Sequence, residues 1–128
     1  MDIGIASKSR EFHIIPALLD SGANTTFIDG AVVEWMGLTL EALTNPIHVF
    51  NVDGSCNLAG DVTHAVNITV NFLGHRGELR AEVTNLRKNS LILSYMWLKK
   101  HNPLIDWEKG TVKFHRCPHS CLMLQDRA

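Results

Sequence analysis

The chain has 128 residues, 45% of them hydrophobic and 20% charged, with a formal net charge of -1. That is one domain with room for a core, and its balance is that of an ordinary globular protein. No global field recruits nucleic acid or an anionic membrane, and no apolar run approaches the ~20 residues of a membrane-spanning helix. Three cysteines, Cys56, Cys117 and Cys121, are an odd number and argue against a disulfide framework, so an intracellular, reducing setting is expected.

Residues 1–9 are small and polar enough to fray. "EFHIIPALLD" (11–20) reads as a short, largely buried strand in which Pro16 marks a bulge or an edge. "TTFI" (25–28) begins a second strand, and Asp29 is placed to cap a short helix over 30–36 that stops at Gly37. "PIHVFNV" (46–52) is strand-like, and "DGSCNLAG" (53–60) carries turn residues at both ends. The clearest periodicity lies in 62–72, where Val62, Val66, Ile68, Val70 and Phe72 alternate with polar or small residues as in a half-buried strand. Gly74–Gly77 reads as a hairpin turn, with a return strand over 78–86 that puts Leu79, Ala81 and Val83 on one face. "SLIL" (90–93) is a short buried strand, 95–102 one or two helical turns ending before Pro103, and "LIDW" with "TVKFH" a last hairpin around Glu108–Gly110.

Within this β-rich pattern "ALLDSGANTTFID" (17–29) stands out, because three apolar residues run into an acid and then into Ser21-Gly22-Ala23. A carboxylate at the end of an apolar strand is costly unless it is hydrogen-bonded, protonated or used. By itself a turn or cap aspartate explains it. The residues resemble the Asp-Ser/Thr-Gly-Ala signature of aspartic proteases, and the resemblance widens downstream. "NVDGSCNLAGDVTH", "LILSYMWLKKHNPLIDW" and "VKFHRCP" follow in the order seen in proteases of gypsy-class LTR retrotransposons, over about residues 10–118.

This resemblance implies a mostly β, retropepsin-like closed barrel with one or two short helices, one lobe per chain, working as a homodimer. It divides the chain into a flexible 1–9, a protease domain over 10–116 and a tail or linker over 117–128. The implied activity is an aspartic endopeptidase that processes a retrotransposon polyprotein inside the cell, virus-like particles included. Asp20, Ser21 and Gly22 would form the catalytic loop. Two carboxyls sharing one proton supply both the base and the acid of peptide hydrolysis, since like charges ~3 Å apart cannot both ionise. Only Asp20 has the Ser-Gly context, so the second carboxyl comes from another copy of the chain across a twofold axis. Ser21 would bond across that axis, Gly22 would let the substrate backbone come close, and Ala23 and Asn24 would border an extended peptide. Val52, Asp53, Gly54 and Ser55 would belong to a flap closing over it. No cofactor, nucleic acid or membrane is implied.

Two features stand apart. Where the family has a glycine after two apolar residues, this chain has Ser94. If that backbone needs a positive φ or touches the catalytic loop, the Cβ and hydroxyl cost about 1 kcal/mol or more. A decayed or domesticated dimerisation or peptide-binding module is therefore the alternative. "HRCPHSC" sets His115, Cys117, His119 and Cys121 at every second position; on an extended chain these spread along one face and do not converge on one ion, so a solvent-facing tail is expected and no metal is assigned, with zinc the alternative if the chain turns at Pro118.

Overall fold

The structure is a computed structural model and describes residues 1–47 and 61–117, together with the backbone of 122–123. Its elements are β1 (Asp2–Ala6), β2 (Phe12–Leu19), β3 (Phe27–Asp29), α1 (Gly30–Met36), β4 (Glu41–Ile47), β5 (Val62–Phe72), β6 (His75–Thr84), β7 (Leu91–Leu93), α2 (Tyr95–His101), β8 (Leu104–Asp106), β9 (Thr111–Lys113) and β10 (Leu122–Met123). The strands pair in the order β6-β3-β7-β2-β1-β5, and β5 pairs back onto β6, which closes a six-stranded barrel. β4 and β10 attach outside this ring, on β5 and β6, and β8 with β9 forms a separate ribbon. Closure removes the ring's free edges, the standing hazard of an all-β fold.

The long hairpin runs unbroken from Phe72↔His75 to Ala65↔Glu82. It turns on Leu73 and Gly74, with φ of 45° and 80°. A two-residue turn with both φ positive matches the twist of the strands it joins, so the hairpin closes one residue earlier than the Gly-His-Arg-Gly run suggests. His75 is thereby the first residue of β6, and it is buried.

The expected fraying at the N-terminus is corrected. β1 lies between β2 and β5, with Ile3 and Ile5 fully buried. Two isoleucines at spacing two suffice once both neighbours are in place. Pro16 marks neither a bulge nor an edge. β1 pairs along Phe12–Pro16 and β7 along Ala17–Leu19, so Pro16 sits where the strand changes neighbours. The strand is also half-buried rather than largely buried, since Ile14, Pro16 and Leu18 face outward. The strand expected over 46–52 instead begins at Glu41, and residues 48–52 lie outside the described residues.

Both helix boundaries match the reading of the caps. Asp29 accepts from the Ala31 amide and Gly37 takes the left-handed conformation at φ 65°. α2 ends on Asn102, also left-handed, immediately before Pro103.

The core is aliphatic on one side and aromatic on the other. Ile3, Ile5, Ile28, Leu91 and Leu93 fill the barrel. At the β5–β6 turn Phe72 packs edge-on against Trp97, His101 and Phe114, with ring centroids 4.9 to 5.3 Å apart, and stacks on His75. Burial pushes the pKa of His101 down to about 4, and the positive charges of Lys100 and His75 add to the shift. The unfolded chain therefore takes up a proton at His101 from about pH 6.5 downward, while the folded chain resists it until about pH 4. Stability is full above that window and is lost as pH falls through it. A urea midpoint that falls between pH 7 and pH 4.5 by the equivalent of about 2 kcal/mol, and much less in His101→Phe, is the expected result. Equal pH slopes in the two proteins would remove His101 as the cause.

Candidate active site

Asp20 directly follows Leu19, the last residue of β2, and is half-buried. The chain then turns sharply: the Ala23 amide donates to the Asp20 carbonyl at 3.1 Å, closing a turn with Ser21 and Gly22 at its tip. Inside it the Gly22 amide donates to Asp20 Oδ1 at 2.9 Å. The carboxylate is thus half-buried, held by one backbone donor, and still open to solvent. Of the three ways to relieve a strand-end acid, the structure supplies the first and leaves the group accessible for use.

What constrains Gly22 is its closeness to the carboxylate it bonds and not its φ. A Cβ built on it would lie 3.2 Å from Asp20 Oδ1, tighter than ordinary contact. Gly22→Ala should displace the carboxylate with little effect on the barrel. A shift of a few tenths of an ångström should lower kcat/KM several-fold, about fivefold, while Tm stays within a few degrees. Unchanged kcat/KM in that variant would show that the close approach has no role.

The loop rests on the strand and helix beneath it. The Asp20 amide donates to the Leu93 carbonyl and the Tyr95 amide to the Ala23 carbonyl, each at 3.0 Å. Leu93 ends β7, which runs parallel to β2 and antiparallel to β3, so one short strand supports both ends of the loop. Ser21, Gly22 and Asn24 are exposed and Ala23 is half-buried.

The other carboxylates near this end have backbone duties. Asp29 accepts from the Ala31 and Leu86 amides, and Asp106 from the Lys109 amide in the β8–β9 turn. Val52, Asp53, Gly54 and Ser55 lie outside the described residues, between β4 and β5, whose facing ends pair at Ile47↔Val62.

Sequence reasoning missed an apolar platform beside Asp20. Leu18 is 45% exposed, pairs in register with half-buried Ile92 and lies two residues from Asp20. Tyr95 and Met96 are exposed on the first turn of α2, just below the loop. The alternation in β2 was a usable signal for Leu18, while Ile92 needed the β2–β7 register. Among the described residues no three His, Cys, Asp or Glu side chains gather to hold a metal. Cys117 Sγ lies 3.4 Å from His101 Nδ1, His115 is exposed, and His119 and Cys121 lie outside the described residues.

Ser94 is where the structure departs from the expectation of strain. Its φ is -80° and its ψ 171°, an extended conformation open to any residue. It is the N-cap of α2, accepting from the Trp97 amide, and it touches the Asp20 loop through Thr26. The positive-φ condition of that expectation is not met, while the contact with the loop is present and is made through hydrogen bonds.

A closed six-stranded barrel carrying an Asp-Ser-Gly-Ala loop at the end of an inner strand defines a retropepsin-like protease domain. The retroviral protease-like domain of Ddi1 from Leishmania major shares this fold, with a TM-score of 0.56 at 17% identity, over 100% of this chain and 95% of that one. The EIAV protease, solved with the inhibitor HBY-793, aligns at a TM-score of 0.48 and 17% identity over 77% of this chain and 83% of that one. The chain belongs to the PEG10/RTL1 protease domain family, whose model matches residues 16–121.

Proposed function

We propose that this domain is an aspartic endopeptidase that acts as a homodimer, with one Asp20 from each copy forming the catalytic dyad. The observation that carries the reading is the Asp20 loop, an accessible carboxylate held by the Gly22 amide beside an outward apolar platform. In the dyad an ionised Asp20 takes a proton from water as the water oxygen adds to the peptide carbonyl carbon. The protonated Asp20 of the second copy gives its proton to the carbonyl oxygen. The resulting diol collapses when a carboxyl protonates the amine, the C–N bond breaks and the second hydroxyl returns its proton. No metal or covalent intermediate enters.

Exposed Tyr95 beside Ser21 and exposed Met96 beside Asn24 support self-association at this end of the barrel, where burying apolar area offsets the cost of pairing. Leu18 and Ile92 favour substrates with an apolar side chain at the scissile bond, bound as an extended strand. The polyprotein of a gypsy-class element, or a protein of the host cell if the gene has been captured from one, supplies such a substrate within the cell. The second reading, a decayed or domesticated dimerisation or peptide-binding module, loses strain at Ser94 as its motive but gains some support from membership of the PEG10/RTL1 family.

The test is cleavage of a peptide library near pH 5 by the purified chain, with sedimentation at the same concentration. Cutting on the flank of an apolar residue supports the proposal. A preparation that sediments as a dimer and cuts nothing from pH 4 to pH 7 moves the function to the non-catalytic module.

A further inference from the structure

The Asp20 loop ends at Thr26, and Thr26 and Ser94 are buried polar side chains at 4% and 3% exposure. The Thr26 hydroxyl donates to Ser94 Oγ at 3.3 Å, and the Ser94 amide donates back to Thr26 Oγ1 at 3.2 Å. Ser94 Oγ also accepts the Trp97 amide at 3.4 Å. The Thr26 carbonyl takes the Glu82 amide at 2.9 Å, which ties the same residue to β6. Together with the Leu93–Asp20 and Ala23–Tyr95 backbone bonds, these contacts hold residues 20–26 against residues 93–97 at both ends of the loop.

Resting on the aspartic protease reading, we propose that Ser94 and Thr26 are positioning residues, a buried hydroxyl latch that fixes the Asp20 loop on the start of α2 and so orients the Asp20 carboxylate. A glycine at 94 would leave the Trp97 amide and the Thr26 hydroxyl to find other partners at a site where both side chains are almost wholly buried. An orphaned buried polar group costs more than an ordinary hydrogen bond contributes. In this chain, then, serine is the working residue at the position and glycine is the damaging substitution.

Four variants of the full chain test this: Ser94→Ala, Ser94→Thr, Thr26→Val and Thr26→Ser. Two readouts are taken on each, amide hydrogen exchange by NMR and steady-state peptide cleavage. Ser94→Ala and Thr26→Val each remove two buried hydrogen bonds and are expected to speed exchange of the Ala23 and Tyr95 amides about tenfold or more. They should lower kcat with KM nearly unchanged, because an ill-aimed carboxylate spoils the transition state and leaves the peptide cleft intact. Ser94→Thr and Thr26→Ser keep the hydroxyls and should behave as the parent.

Thr26→Val leaves the Ser94 cap on Trp97 in place, so a serine that merely caps the helix would leave the loop untouched in that variant. Faster exchange confined to Trp97 and Leu98, or a Thr26→Val protein indistinguishable from the parent, overturns the latch. Should Ser94→Ala fail to fold, the contrast between Thr26→Val and Thr26→Ser carries the decision. A parent chain that cuts nothing sinks the protease reading alone, and loop exchange still judges the latch.

Discussion

Asp20→Asn is expected to reduce peptide cleavage by about 10⁴-fold or more, since it removes both the general base and the shared acid. Stability should stay within about 0.5 kcal/mol, because the Asn side-chain oxygen can still accept the Gly22 amide that now reaches Asp20 Oδ1. The same variant tests the dimer. Each active site needs two intact carboxyls, so equal amounts of parent and Asp20→Asn chains, mixed and allowed to exchange, should retain about a quarter of the activity of an all-parent dimer. Half the activity would mean that each chain works alone and that the second carboxyl lies within it. Full activity in Asp20→Asn itself would end the assignment of Asp20.

Phe72→Ala is expected to be the most damaging change to the fold. Phe72 ends β5 at the tight turn, is 2% exposed, and packs against four rings contributed by β6, α2 and the segment after β9. Truncating a buried phenylalanine costs about 3–5 kcal/mol in transfer and cavity terms. A domain of this size has only about 5–15 kcal/mol in total. Urea unfolding at pH 7 measures it, where His101 is neutral and does not confound the comparison. A loss below about 1 kcal/mol would show that the cluster repacks and does not anchor the hairpin to α2.

The aromatic cluster and the proposed Asp20 dyad set opposing demands on pH. A shared-proton dyad works on the acid side, where one of its two carboxyls is protonated. His101 makes the barrel weaken as pH falls from about 6.5 toward about 4. On the proposed reading, cleavage on the acid side would meet this loss of stability as pH falls toward about 4. His101 sits on α2, seven residues after Ser94, so the helix that supports the loop also carries the group that loosens in acid.

The local patterns were legible where a residue's role depends on its immediate neighbours. Alternation gave β5 to the residue, and Asp29 with Gly37 bounded α1, because caps and pleats are decided over a few residues. The Asp20 turn was legible for the same reason. Other elements depend on partners distant in the chain. β4 is exposed along nearly its whole length, and "EALTN" has no strand pattern of its own; it is a strand because β5 offers it an edge. β10 pairs with Arg76 and His75 in the same way.

Ser94 is the sharpest contrast. In the sequence it is a serine where a glycine was expected, and its meaning turned on a φ angle and on a partner 68 residues away. By itself the sequence determined the strand periodicity, the helix ends and the Asp-Ser-Gly turn, all of which follow from interactions within a few residues. Only the tertiary structure decided that Ile3 and Ile5 are core, that Leu18 and Ile92 form one platform beside Asp20, and that Ser94 meets Thr26. Those contacts exist because barrel closure brings β1, β2, β7 and the start of α2 together, and pairing across such separations leaves no periodicity in any single stretch of chain.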